Sequence, residues 1–252
     1  MEIDQLTINF FSGVFLALFT IGLSFNFRVV KFLNLSYGSF FTFGAYIAYH
    51  FFLKSIVTSI LGIFFFSIVL GSLLYLIVKK IGTDVLSSTI ASLGFGILLE
   101  EVLRMTHMTG YFLIIDVPIK EYNFFGISLM ITEVLQLLVL LTLLLTLTFI
   151  YKSKHGVRLK FVEEDVELAA MYGVNNSLYE ILCILGSSFI AMILGFLSSL
   201  HQAIFPSMGW GVLVSGIIAL AIASQFKFVG IKHYATLVLV CIIYAEVVGW
   251  LQ

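Results

Sequence analysis

An all-α integral membrane protein, a polytopic helical bundle of about eight spans with one or two of them open to a break, is the fold class that three observations predict. The chain has 252 residues, of which 61% are hydrophobic and 11% charged, whereas a soluble domain carries about 45–50% apolar and about 25% charged residues. Mean hydropathy is +1.13, more apolar surface than a soluble interior can hold. The apolar segments are long and continuous. Only helices and closed barrels satisfy their backbone in lipid, and a barrel strand would alternate instead.

A span needs about 20 mostly apolar residues. The first such run covers 6–25. It follows Met-Glu-Ile-Asp-Gln, acidic where a signal peptide is basic, so this span is expected to be retained. The second, 35–53, carries Asn34, Ser36, Gly38, Ser39, Thr42 and Gly44 at its start. The third is 55–78. The fourth, 85–103, holds Ser87, Ser88, Thr89, Ser92, Gly94 and Gly96, and is expected to cross fully. Small and hydroxylated residues permit close helix packing, and glycine also permits a break lining a polar path. Asn34, Gly38, Thr42, Gly44, Ser88, Thr89, Ser92, Gly94 and Glu100 are therefore candidates for a translocation path. Runs at 127–151, 178–200, 210–225 and 234–251 complete the set, and 1–252 reads as one transmembrane domain.

Lysine and arginine favour cytoplasmic loops. With the N-terminus extracytoplasmic, Arg28, Lys31, Lys79, Lys80, Lys152, Lys154, Arg158, Lys160, Lys227 and Lys232 all fall inside. Lys54, Arg104 and Lys120 fall outside. Trp210 and Trp250 then sit at the outer interface, where an amphipathic ring is comfortable. A net charge of −1 points to no nucleic-acid partner. Cys183 and Cys241 lie in apolar runs without metal-ligand spacing.

The substantial charged block is the loop 152–177, which this orientation places in the cytoplasm. In Glu163-Glu-Asp-Val-Glu-Leu-Ala-Ala-Met-Tyr-Gly173 an acidic start meets the helix dipole and a glycine suits the C-terminal cap. The sequence thus encodes a short, self-capped helix. Lys154, His155, Arg158 and Lys160 form a basic flank suited to the membrane surface. Ala169 and Ala170 give the helix a small-residue face fit for docking a soluble partner.

This block resembles the cytoplasmic coupling loop of permeases of branched-chain amino acid ABC importers, which runs approximately G-R-x-x-R-A-x-x-E-D/N-x-x-x-A-x-x-L-G-I-N. Gly156, Glu164, Asp165, Ala169, Gly173, Val174 and Asn175 match it in register. Asn34-Leu-Ser-Tyr-Gly-Ser-Phe-Phe-Thr-Phe-Gly-Ala-Tyr46 is similar to the family's N-F-A-H-G-x-x-x-x-x-G-A-Y segment, with Tyr37 in place of the histidine. Ser88-Thr-Ile-Ala-Ser-Leu-Gly-Phe-Gly-Ile-Leu-Leu-Glu100 is similar to its T-x-G-x-S-x-x-L-Q segment, with Glu100 in place of the glutamine. The family's late G-G-x-G-S/T stretch is replaced by Ile218-Ala-Leu-Ala-Ile-Ala-Ser-Gln225.

The resemblance implies a transport subunit of the inner membrane that is not itself an enzyme. It implies two ATP-binding cassette subunits docked on Gly156, Arg158, Glu163, Glu164, Asp165, Glu167, Ala169, Ala170, Gly173 and Asn175. It further implies a second permease, identical or homologous, an extracytoplasmic solute-binding protein, and a small polar solute, with branched-chain or other amino acids heading the list and urea, short amides, nucleosides and sugars behind. No cofactor is expected in this chain, since the sequence has no G-x-x-x-x-G-K-S/T phosphate loop; ATP would sit on the partners. The reading that competes with it is a self-sufficient secondary transporter or channel driven through Glu100, Glu101 or Glu246, because intramembrane carboxylates are costly and default to functional suspicion. A membrane scaffold that moves no solute is a third.

Overall fold

In the computed structural model, residues 2–52, 55–82, 84–106, 112–115, 121–124 and 127–251 are described. They form helices α1 (Glu2–Val30), α2 (Tyr37–Phe51), α3 (Ile56–Ile81) and α4 (Val85–Thr106), then a hairpin of β1 (Glu121–Phe124) and β2 (Ile127–Met130). Helices α5 (Ile131–Lys152), α6 (Lys154–Glu164), α7 (Val166–Met171), α8 (Asn176–Ser199), α9 (Met208–Ser224) and α10 (Ile231–Leu251) follow. The strands pair antiparallel, with Glu121 opposite Met130 and Phe124 opposite Ile127.

Each of the eight apolar runs contains a helix, but six are long and apolar enough to cross a membrane: α1 from Gln5, α3, α4, α5, α8 and α10. Helices α2 and α9 have 15 and 17 residues, about 22 and 25 Å at 1.5 Å per residue, short of a hydrocarbon core of about 30 Å. The expected span 35–53 loses its beginning to a turn, in which Asn34 Oδ1 accepts from the Ser36 amide at 3.2 Å and the Ser36 hydroxyl at 2.6 Å. The expected span 127–151 loses its first residues to β2. Its helix starts at Ile131, with the Met130 amide donating to Glu133 Oε2 at 2.8 Å.

The chain divides into two compact units. One comprises Gly22–Asp116 and Asn175–Val214. Its centre is α2, on which Tyr37–Phe41, Thr42 and Gly44–Ala48 are buried. Helix α2 packs against α8 backbone to backbone: a Cβ on Gly44 would collide with the Met192 backbone, and one on Gly195 with the Phe41 carbonyl. Only residues without side chains allow such approach, and in lipid this contact, not hydrophobic exclusion, drives helix association. Helix α3 lies on α8, with Gly71 beside Leu185 and Ser188. Helix α4 lies on α2 through Gly96, next to Ser36 and Ser39, and through Phe95, whose ring meets Phe40 edge-on at 6.1 Å.

The other unit comprises Met1–Ile21, Val117–Val174 and Ser215–Gln252. Here α1 and α10 touch at Gly13, where a Cβ would stand 2.8 Å from Ile242 Cα. They touch again at Gly249, whose Cβ would strike the Asn9 amide. Asn9 Nδ2 donates to Glu246 Oε2 at 3.3 Å and Gln5 Nε2 to the Gly249 carbonyl at 3.2 Å.

Candidate functional site: a capped cytoplasmic elbow and a polar helix junction

The segment after α5 folds as two helices, α6 and α7, rather than the one short helix the sequence predicts. Ser153 caps α6, accepting from the Gly156 amide at 3.3 Å. Gly156 lies so close to Ile150 and Tyr151 at the end of α5 that a Cβ would collide with their backbone. Glu163 and Glu164 therefore close α6 instead of opening the next helix. Asp165 does both jobs, ending α6 in an extended conformation and capping α7. Its Oδ1 accepts from the Glu167 and Leu168 amides at 2.9 and 3.1 Å. An aspartate suits this place because its carboxylate fills the orphan amides and meets the positive end of the dipole.

Helix α7 ends as the sequence predicts. Gly173 adopts φ +74°, its amide reaches the Ala170 carbonyl at 2.9 Å, and the Val174 amide reaches the Ala169 carbonyl at 3.0 Å. This pair of bonds is a Schellman motif, which needs the left-handed region at its glycine. Asn175 then caps α8 through the Leu178 amide at 3.3 Å. Phe161 of α6 stacks on Tyr172 with centroids 5.7 Å apart, stiffening the bend between the helices.

Of the loop residues singled out from sequence, Gly156, Glu163 and Ala169 are buried, while Arg158, Glu164, Asp165, Glu167, Ala170, Gly173 and Asn175 are exposed. The larger apolar display was missed: Met171 is 85% exposed, Tyr172 70%, and Leu168 is exposed beside them. Its signal was available, since these three flank the alanines at helical spacing.

Glu163 is the unexpected member. It is 6% exposed and accepts from the hydroxyl of Tyr151, at the end of α5. The Tyr151 hydroxyl lies 3.2 Å from that of Tyr234, in the first turn of α10. Both tyrosines are buried.

The path candidates lie in the α2-centred unit. Ser92 is buried on α4, accepts from the Leu35 amide at 3.0 Å and lies 3.3 Å from the Leu33 carbonyl. It thereby holds the turn that carries Asn34, whose Nδ2 is buried without a partner. One turn on, Thr42 Oγ1 accepts from the Gly209 amide at 3.1 Å, and Gly38 faces Gly209 so closely that a Cβ on Gly38 would stand 2.8 Å from its carbonyl oxygen. The starts of the two short helices, α2 and α9, thus meet. Ser92 is brought to the turn of Asn34, and Gly38 and Thr42 to Gly209. Gly44 belongs to the α2–α8 packing, and Gly94 faces open space. Ser88 is buried beside Gly82, and Thr89 bonds its own helix at Val85 O.

Glu100 is engaged on both oxygens. Oε1 pairs with Arg104 at 3.0 Å and Oε2 accepts from Trp210 Nε1 at 2.6 Å. Glu101 pairs with Arg104 at 3.2 Å. The Trp210 contact ties α4 to the first turn of α9, a link invisible in the separated sequence positions. Among the described residues no cluster of three or more His, Cys, Asp or Glu could hold a metal ion.

A family model described as the permease component of a branched-chain amino acid transport system matches residues 7–250. No curated protein matches the chain by sequence. Among solved structures the chain is similar to PsaBC from Streptococcus pneumoniae in complex with Fab. The identity there is 13%, the TM-score 0.41, and the match covers 95% of this chain and 88% of that one.

Proposed function

Because the chain belongs to the family of branched-chain amino acid transport permeases, we propose that this multi-pass membrane protein is the permease subunit of an ABC importer whose ATP is hydrolysed by separate subunits. The observation that carries the reading is α7: a six-residue helix capped at both ends that presents Leu168, Met171 and Tyr172 to solvent from an otherwise charged segment. An exposed apolar cluster rimmed by charge is the mark of a protein interface. Rigidity suits it to transmit force.

In this reading the loop 152–177 is cytoplasmic and receives an ATP-binding cassette subunit; four spans, α1, α3, α4 and α5, precede it, which puts the N-terminus on the cytoplasmic side too, not outside as the eight-span count has it. A second permease, identical or homologous, completes the membrane unit in the inner membrane. An extracytoplasmic binding protein delivers an amino acid, branched-chain in the first instance, to the outer face. A partner that holds α7 differently with and without ATP shifts the permease between two states by its differential affinity for them. The solute passes near the meeting point of α2 and α9, where Asn34, Thr42 and Ser92 supply polar groups within an apolar bundle. The Glu100 and Glu246 carboxylates are held by Arg104, Trp210 and Asn9, which speaks against a self-sufficient transporter driven through them.

The test is affinity purification of the tagged chain from its native membrane, with mass spectrometry of what accompanies it. A phosphate-loop ATPase is expected, and Met171→Asp with Tyr172→Ser should release it while the chain still inserts. Recovery of the chain alone, at good yield in mild detergent, overturns the reading.

A further inference from the structure

A carboxylate buried beneath a solvent-facing loop is expensive unless its partners hold it for a purpose. Glu163 is such a group, 6% exposed on a helix whose neighbouring acidic residues, Glu164 and Asp165, both face water. Its acceptor oxygen is taken by the Tyr151 hydroxyl, and that hydroxyl stands 3.2 Å from the Tyr234 hydroxyl, with ring centroids 5.8 Å apart. Tyr151 is 3% and Tyr234 1% exposed. Two polar contacts that share the Tyr151 hydroxyl therefore join α6, the end of α5 and the start of α10. Gly230, just before α10, has φ +64° and sits where a Cβ would stand 3.4 Å from Lys160 Cε of α6 and 3.8 Å from the Tyr151 ring. Helix α6 is thus seated against the entrance to α10 at two points.

The same end of α6 is tied to α7 without slack. Asp165 is at once the C-cap of α6 and the N-cap of α7, and Phe161 stacks on Tyr172 across the bend. A displacement applied at α7 is passed to α6 as a rigid movement. What α6 can push is whatever Glu163 holds.

We propose that Glu163 is a positioning residue, which with Tyr151 and Tyr234 forms a latch transmitting movement of α7 to the membrane helix α10. The inference rests on the reading that an ATPase grips α7, and extends it by naming the span that responds. Met171 and Tyr172 receive the partner; Glu163 delivers its movement.

The experiment is hydrogen exchange, read by mass spectrometry, on the complex purified with its ATPase, with and without ATP plus vanadate. In the wild type, nucleotide should change exchange in both α7 and the first turns of α10, the latter by about 5-fold or more, the lower end of ordinary coupling between sites. Tyr151→Phe removes one oxygen and keeps the ring; it should leave the ATPase bound and the α7 response intact while the α10 response falls to near none. Glu163→Leu should act alike, and Glu163→Gln, which keeps an acceptor oxygen, should restore the α10 response. A residue needed only for packing would not separate the two responses. An undiminished α10 response in both Tyr151→Phe and Glu163→Leu overturns the latch.

If no ATPase accompanies the wild-type chain, the reading of function fails and the seating is tested by itself. On the isolated chain Tyr151→Phe should then raise exchange across α6 by at least about 5-fold, and unchanged exchange overturns the inference there too.

Discussion

Replacing Gly173 isolates a single energetic term, because an added Cβ there meets nothing within 4 Å. No clash and no lost contact enters, only the backbone conformation at φ +74°. An L-residue other than glycine or asparagine loses about 1–2 kcal/mol in that region. Since about 1.4 kcal/mol is tenfold, Gly173→Ala should raise the local opening of the α7 terminus by about 5–30-fold. Gly173→Val should exceed that, since a β-branched side chain is the least tolerant of positive φ. Gly173→Asn should sit close to the wild type. The amides that report are those of Tyr172, Gly173 and Val174, bonded back to Leu168, Ala170 and Ala169. The assay is amide hydrogen exchange of the peptide covering 165–175 in detergent or nanodiscs, because local opening sets exchange when closing is fast. Equal exchange for Gly173→Ala and wild type, or an asparagine variant as open as the valine one, would refute the assignment of a left-handed cap.

At the other end of α7, Asp165→Ala removes the acceptor of two amides and should cost about 0.5–2 kcal/mol, seen as faster exchange in the same peptide, with Asp165→Asn largely spared. Gly195→Val drives a side chain into the Phe41 carbonyl and should destabilise by about 1–3 kcal/mol or more, read as a lower midpoint in thermal unfolding followed by size-exclusion chromatography. Gly186→Ala, also inside α8 but where a Cβ finds open space, is the control whose midpoint should not fall. Trp210→Phe deletes the indole donor to Glu100 and should cost about 1.5–3 kcal/mol, the range for hydrogen bonds to a charged group. An unfolding midpoint equal to wild type would mean that this bond holds nothing.

Where a structural choice depends on a residue's own conformation, the sequence carries it openly. Gly173 ends α7, an acidic residue begins it, and long apolar runs become α1, α3, α4, α5, α8 and α10, because these depend on local backbone and on hydrocarbon length. Choices made by distant partners are silent. Glu163 reads as one of several equivalent solvent-facing acids until Tyr151 and Tyr234 are brought beside it. Glu100 reads as a polar-path candidate until Arg104 and Trp210 claim its oxygens. The run at 35–53 counts as span-length by hydropathy, yet Asn34 turns the chain and leaves 15 helical residues. Strand β2 reads as the start of a span because Ile127-Ser-Leu-Met130 is apolar enough to extend the run behind it. At the junction of α2 and α9 the polar and small residues of α2 and α4 were legible, but their partner Gly209 was not.

The short helix α2 also sets a timetable. Thr42 finds its partner Gly209 at a separation of 167 residues, and the backbone surface that receives Phe41 and Gly44 belongs to α8. At about 5–20 residues per second of synthesis, Thr42 spends on the order of 8–30 s without its partner. During that interval the nascent chain has a helix too short to span, whose face of Gly38, Thr42 and Gly44 is still uncovered. Biogenesis of this protein is therefore a waiting problem: the packing face of α2 stays open until α8 and α9 have been made.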